Sequence, residues 1–204
     1  MIGDGDVAAF ERCLAEGGVA VFPADTVYGL ACEPESSAAV RRLYALKGRP
    51  AVKPAAVMFF DRDLALAALP ELAARTRAAL ERLLPGGVTA LLANPAGRFA
   101  LACGPAPGTL GLRVPALPGP LTPLAAVRRP VLQSSANRTG SVDPCRVAEV
   151  PDAIRTGADL VLDGGELPGA PSTVVDLRRY EEDRSWKIVR EGAVSRAKLD
   201  AALR

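Results

Sequence analysis

Short apolar runs, each ended by proline, glycine or a polar cluster, recur along this chain and constrain its fold more than any other feature. GVAVFP at 18–23, AAVMFF at 55–60, LGLRVP at 110–115 and PVLQSSA at 130–136 are the clearest. Runs of this length between turn formers read as buried strands. Segments of helical period lie between the early ones. Residues 6–16 put Val7, Phe10 and Leu14 on one face and end at Gly17-Gly18. Ser37 stands where it can cap a helix running to Leu46, and residues 70–84 turn Leu72, Leu80 and Leu83 inward. PGGVTALL reads as a turn and then a strand, and 94–109, rich in Gly and Pro, as a loop. A helix is expected around 146–155, strands at DLVLDGG, STVVDL and WKIVR, and a closing helix from Ser195. Helices alternate with strands early and strands cluster late. The expectation is an α/β fold with a mixed, parallel and antiparallel, sheet and flanking helices, as one domain over 1–204.

The chemistry is narrowed by what is missing. Histidine is absent, which removes Ser-His-Asp and Cys-His catalysis, histidine-ligated metals and histidine general bases. Reactions must run on carboxylates, lysine, arginine, hydroxyls, backbone amides or a bound metal. The four cysteines, Cys13, Cys32, Cys103 and Cys145, form no CxxC pair and no zinc or disulfide spacing, so they read as idle thiols in a reducing cytosol. No metal site of the protein's own is expected. A net charge of +2 is too weak to argue for nucleic acid by itself. The N-terminus carries early acids and no apolar stretch of the kind a signal peptide needs, and no run is long enough to cross a membrane. A cytoplasmic location is expected.

Four polar segments interrupt the apolar pattern at strand or helix ends, where α/β folds place ligands. KGRPAVKP gathers Lys47, Arg49 and Lys53. Lysine occurs at only four positions in a chain otherwise biased to arginine, so each lysine draws notice. Three cations in a proline-bounded loop either surround an anion, gripped by the arginine fork and lysine point charges, or make a solvated basic loop after a helix end. PADTVYGL offers Asp25, Thr26 and Tyr28. The two hydroxyls could orient a small polar ligand and Asp25 could read an amine or help hold a metal, or the segment is a strand-to-helix turn. QSSANRTG places Ser134, Ser135 and Asn137 in a turn able to present donors to phosphate, or in an ordinary polar turn. In PSTVVDL, Ser172 and Thr173 open a strand. Arg113 breaks the apolar strand LGLRVP, and so lies at an edge or faces an anionic ligand. Neither a Walker A sequence nor GxGxxG is present.

Taken in order, PADTVYGL, KGRP, PGGVT, RVP, SANRTG, STVVD and REG resemble the motif series of the YrdC-type threonylcarbamoyl-AMP synthase family, over roughly residues 18–195. The resemblance implies a twisted mixed α/β sheet and a nucleotidyltransferase. Such an enzyme converts ATP, L-threonine and bicarbonate into threonylcarbamoyl-AMP and pyrophosphate, with Mg²⁺ accompanying ATP. Partner proteins would then use the product for N6-threonylcarbamoyladenosine modification of tRNA. By match to the motifs, Thr26, Arg113 and Ser172 would bind threonine. Lys47, Arg49, Lys53, Thr109, Ser135, Asn137 and Arg190 would bind the nucleotide, with Lys47 and Arg49 closest to the chemistry. A carbamate oxygen is already anionic, so no strong protein base is needed, and positioning and charge neutralisation would dominate. Arg49→Ala is expected to abolish turnover while leaving the fold intact.

Three positions depart from the family pattern: Ala24 stands where Thr or Ser is usual, Gln133 where a small residue is common, and Met58 where longer members carry histidine. Lys53 resembles the short bacterial type. Two other functions fit the same residues. One is a paralogue acting on a different carbamoyl-type substrate. The other is a non-catalytic module for RNA binding, with a weak contact to tRNA or double-stranded RNA.

Overall fold

The computed structural model describes residues 2–48, 50 and 53–204. Nine strands are described: β1 (Ala20–Pro23), β2 (Tyr28–Cys32), β3 (Ala56–Met58), β4 (Val88–Ala93), β5 (Thr109–Arg113), β6 (Val131–Ser135), β7 (Leu160–Val161), β8 (Thr173–Asp176) and β9 (Lys187–Arg190). They form a single sheet in the order β7-β1-β2-β6-β3-β5-β4-β8-β9. The pairs β1/β7, β3/β5 and β4/β8 are parallel and the rest antiparallel. The mixed sheet expected from the alternation of elements is therefore present.

Helices flank it: α1 (Asp4–Ala15), α2 (Ser37–Lys47), α3 (Arg62–Ala67), α4 (Ala74–Leu83), α5 (Ala100–Cys103), α6 (Asp152–Gly157), α7 (Tyr180–Asp183) and α8 (Arg196–Ala202). The first turn of α1 carries Asp4 and Asp6, which favour the positive end of its dipole, and it buries Val7, Phe10 and Leu14. Phe10 meets the ring of Phe22 from β1 at 5.4 Å and that of Phe60 at 5.7 Å. This aromatic cluster clamps the N-terminal helix to the sheet. Among the described residues no helix is long and apolar enough to cross a membrane.

Several boundaries differ from those read in the sequence. The cap of α2 is Ser36, whose hydroxyl accepts from the Ala39 N–H at 3.3 Å, and Ser37 is already helical. PADTVYGL does not turn into a helix. It is the bend of a hairpin, and Tyr28–Cys32 is a fully buried strand between β1 and β6. A short strand buried on both faces has no alternation to betray it. The expected helix at 70–84 starts only at Ala74, and a separate helix, α3, capped by Asp61, precedes it. Pro151 divides the expected helix at 146–155 into a 3₁₀ turn at Val147–Glu149 and α6. DLVLDGG supplies two strand residues, and a 3₁₀ segment at Gly119–Ala126 and the short α5 were not anticipated.

Candidate functional site

Five neighbouring strands, β6, β3, β5, β4 and β8, present one face to a cleft of about 370 Å³. That volume lies within the usual range for a small-molecule site, about 300–1,000 Å³. Alternation along the strands sends Ala56, Gly111, Arg113, Thr89, Leu91, Gln133, Ser135 and Val174 to this face. Its floor is low because Ala56 pairs in register with Gly111 on one side. Val27, Cys103, Thr109, Asp143, Ser172, Arg178 and Arg190 complete the walls.

The motif segments, scattered along the chain, meet here as three interlocked clusters. In the first, Arg113 of β5 reaches the β1–β2 bend. Its Nη2 donates to Asp25 Oδ1 and to Thr26 Oγ1, each at 2.5 Å, while Asp25 Oδ2 accepts from the Ala116 N–H at 3.0 Å. The two charged side chains are 3% and 6% exposed. Arg113 Nε is itself buried and has no partner among the described residues, while Nη2 holds the guanidinium to the bend and the side chain lines the cleft. Burial lowers the Arg113 pKa, Asp25 opposes that, and the charge of Arg190 adds to it.

In the second cluster, Lys47 at the end of α2 is 2% exposed. Its ammonium donates to the carbonyls of Ser135 and Asn137 and to Asn137 Oδ1. Ser135 Oγ also donates to Asn137 Oδ1, at 2.8 Å, and Asn137 Nδ2 donates to Asp143 Oδ1 at 2.9 Å. A buried cation thus organises the Ser135–Asn137 turn from beneath. In the third, Thr89 of β4 and Ser172 share a hydroxyl hydrogen bond of 2.8 Å, and Arg190 Nη2 donates to Ser172 O at 2.7 Å.

Arg190 can reach Ser172 because the chains cross closely just beyond it. A Cβ on Gly192 would lie 2.1 Å from the Pro171 carbonyl oxygen. Gly192→Ala is therefore expected to push β9 away from residue 171 and to cost about 1–3 kcal/mol of stability, as overpacking does. Chemical denaturation measures this, and an unchanged midpoint would show that the crossing yields freely.

Of the residues singled out in the sequence, Thr109, Arg113, Ser135, Ser172 and Arg190 line the cleft. Thr26, Lys47 and Asn137 lie behind its surface and hold lining residues in place. Lys53 is exposed and lies outside the wall, next to Pro54, which lines it. Arg49 lies outside the described residues. The loop at KGRPAVKP is thus not a simple cluster of three like cations, because Lys47 is withdrawn into the interior. Tyr28 does not offer its hydroxyl to a ligand. That group donates to Asp163 Oδ1 and Gly165 O and accepts from the Gly164 N–H, and burial pushes its pKa up to about 12. Ala24 is fully buried and does not line the cleft.

Two charged lining residues escaped the sequence reading. Arg178 is held by a bidentate pair with Asp176, Nε to Oδ1 at 2.9 Å and Nη2 to Oδ2 at 2.6 Å, and its Nη1 reaches Thr109 Oγ1 at 3.4 Å. The Arg178 hydrogen bond holds the Asp176 carboxyl below its ordinary pKa. Asp143 is the one carboxylate on the cleft wall among the described residues. Asp143 lies in the turn-rich segment after β6 and Arg178 just past the end of β8, where strand alternation no longer predicts direction. All four thiols are free and raised in pKa, Cys13, Cys32 and Cys103 chiefly by burial and Cys145 by Glu149, so none is a ready nucleophile. No group of three or more carboxylates and thiols gathers to bind a metal among the described residues. The cleft thus joins three arginines, a hydroxyl-rich wall and a small-residue floor, an arrangement whose charge suits an anionic ligand.

Comparison with known proteins fits this geometry. The model of the Sua5/YciO/YrdC family, described as telomere recombination, matches residues 12–192. The threonylcarbamoyl-AMP synthase of Pyrococcus abyssi is 29% identical over 168 residues, covering 82% of this chain and 49% of that protein. That of Chromohalobacter salexigens is 34% identical over 177 residues, covering 86% and 94%. The crystal structure of P. abyssi Sua5 complexed with L-threonine superposes with a TM-score of 0.83 at 25% identity, covering 99% of this chain and 58% of that one. The chain thus spans about half the length of the Pyrococcus protein and nearly all of the Chromohalobacter one.

Proposed function

Since this chain belongs to the Sua5/YciO/YrdC family, we propose that it makes L-threonylcarbamoyl-AMP and pyrophosphate from ATP, L-threonine and bicarbonate. The observation that carries this reading is Arg113, a guanidinium lining the cleft and locked in place by Asp25 and Thr26. A cation so placed suits an amino-acid carboxylate, which can take hydrogen bonds from the fork. The L-threonine in the Pyrococcus structure supports the choice of amino acid.

The chemistry asks little of side-chain bases. Threonine's amine and bicarbonate form a carbamate with loss of water, and the carbamate's anionic oxygen attacks the α-phosphorus of ATP as pyrophosphate leaves. The chain aligns the two reactants and neutralises charge. Arg113 holds the threonine carboxylate, with Thr26 fixing its fork and Ser172 beside the amino acid. The Ser135–Asn137 turn, Thr109, Arg190, Lys53 and Arg49 serve the nucleotide. Lys47 acts through the turn, placing a positive charge under the phosphates while its hydrogen bonds shape the donors above. Magnesium arrives with ATP as part of the substrate, and Asp143 is the carboxylate at hand on the wall. The chain works as one YrdC-like unit in the cytoplasm, and proteins that modify tRNA consume its product.

The test is pyrophosphate release from MgATP by the purified chain. Release should require L-threonine and bicarbonate together, and omission of either should reduce it to background. If ATP stays untouched with both present, or is hydrolysed equally without threonine, the synthase reading fails.

A further inference from the structure

Gln133 is an unused hydrogen-bonding group inside the cleft. The residue is 6% exposed and lines the wall, and no hydrogen bond to its carboxamide is made among the described residues. The amide opens onto the cleft, where a ligand can complete its hydrogen bonding. Its surroundings leave the space in front of it clear. On β6 it pairs in register with Ala31 of β2 and Ala56 of β3, and Ala56 pairs with Gly111. On the other side Gly29 makes room, since a Cβ there would lie 3.1 Å from Gln133 Nε2. A long polar side chain thus extends over a row that carries almost no side-chain volume.

We propose that Gln133 is a specificity-determining residue that hydrogen bonds the side-chain hydroxyl of the amino-acid substrate. The inference rests on the synthase reading above and adds the group that selects a hydroxyl. Two observations place the amide at the amino-acid end. Gly29, against which it lies, belongs to the strand that leaves the Asp25–Thr26 bend gripping Arg113. Val27 of that bend lines the same cleft. Chemistry then chooses the hydroxyl. A carboxamide both donates and accepts, as a hydroxyl does, whereas a carboxylate only accepts and is already served by Arg113. A site that hydrogen bonds a substrate hydroxyl rejects the analogue lacking it, because its own polar group is then left unpaired.

Gln133→Met keeps the length and removes the amide, and Gln133→Ala removes both. Steady-state pyrophosphate release is measured for wild type and both variants with L-threonine and with L-2-aminobutyrate, which is threonine without the hydroxyl. Thermal unfolding shows that each variant is folded, and either folded variant suffices. The expected result is a KM for threonine raised about three- to tenfold, the range of one lost hydrogen bond. The KM for ATP should stay within about twofold, and the preference for threonine over 2-aminobutyrate should fall by the same factor as threonine binding weakens. An unchanged threonine KM and an unchanged preference overturn the proposal, as does an effect confined to ATP. If wild type releases no pyrophosphate with threonine and bicarbonate, the synthase reading has failed instead. Calorimetric titration of L-threonine into each protein with an ATP analogue then decides the role of Gln133, and equal affinities overturn it.

Discussion

Arg113→Ala is expected to lower kcat/KM for threonine by roughly two orders of magnitude or more, the scale of losing a pair of charge-assisted hydrogen bonds of about 1.5–3 kcal/mol each. Arg113 is buried, lies on the cleft wall and is held there by Asp25 and Thr26. Its guanidinium is the cation placed to meet a carboxylate at the amino-acid end. The loss should therefore fall on threonine far more than on ATP. Arg113→Lys separates charge from geometry. A lysine retains the charge but cannot bond Asp25, Thr26 and a ligand with one planar fork, so it should recover only a small part of the activity. Steady-state kinetics with each substrate varied in turn checks both variants. Activity within a few fold of wild type in Arg113→Lys would mean that charge alone suffices. Activity of that size in Arg113→Ala would remove Arg113 from the site.

Asp25→Ala is expected to have the largest effect on stability, about 3–5 kcal/mol, because it leaves the buried Arg113 charge without its partner. Two further groups lose as well: the Ala116 N–H loses its acceptor, and the bend at Thr26 loses its anchor. For a chain of this size each kcal/mol corresponds to roughly 2–4 °C, so a fall of about 6–20 °C in Tm follows. Asp25→Ala combined with Arg113→Met should be more stable than Asp25→Ala alone, since no unpaired charge remains. Calorimetry of the two variants is decisive. A double variant no more stable than the single one would show that the pair is not the origin of the loss.

The sequence made the segments that build the cleft legible as a set. The strands at GVAVFP, AAVMFF, LGLRVP and PVLQSSA stand close to where they were read, because apolar runs between turn formers have few other ways to bury themselves. Arg113 was noticed because a charge inside an apolar strand costs free energy unless something pairs it. Tyr28 misled for the complementary reason. A hydroxyl beside a turn looks available, and only the loop at Asp163–Gly165, more than a hundred residues later, removes it. Helix ends at 36–37, 74 and 151 shifted through local capping and proline geometry that hydrophobic period does not resolve.

By itself, then, the amino-acid sequence determined the mixed α/β class, the absence of histidine chemistry and the order of the motif segments. These are properties of composition and of local pattern. The tertiary structure alone decided which motifs face one another: Arg113 with Asp25 and Thr26, Lys47 with the Ser135–Asn137 turn, and Thr89 and Arg190 with Ser172. It also decided that Lys47 is structural support while Gln133 and Arg178 line the cleft. The physical reason is strand order. Sequence neighbours are dispersed across the sheet, and β6, β3, β5, β4 and β8 become adjacent only when hydrogen-bond pairing between distant segments is complete.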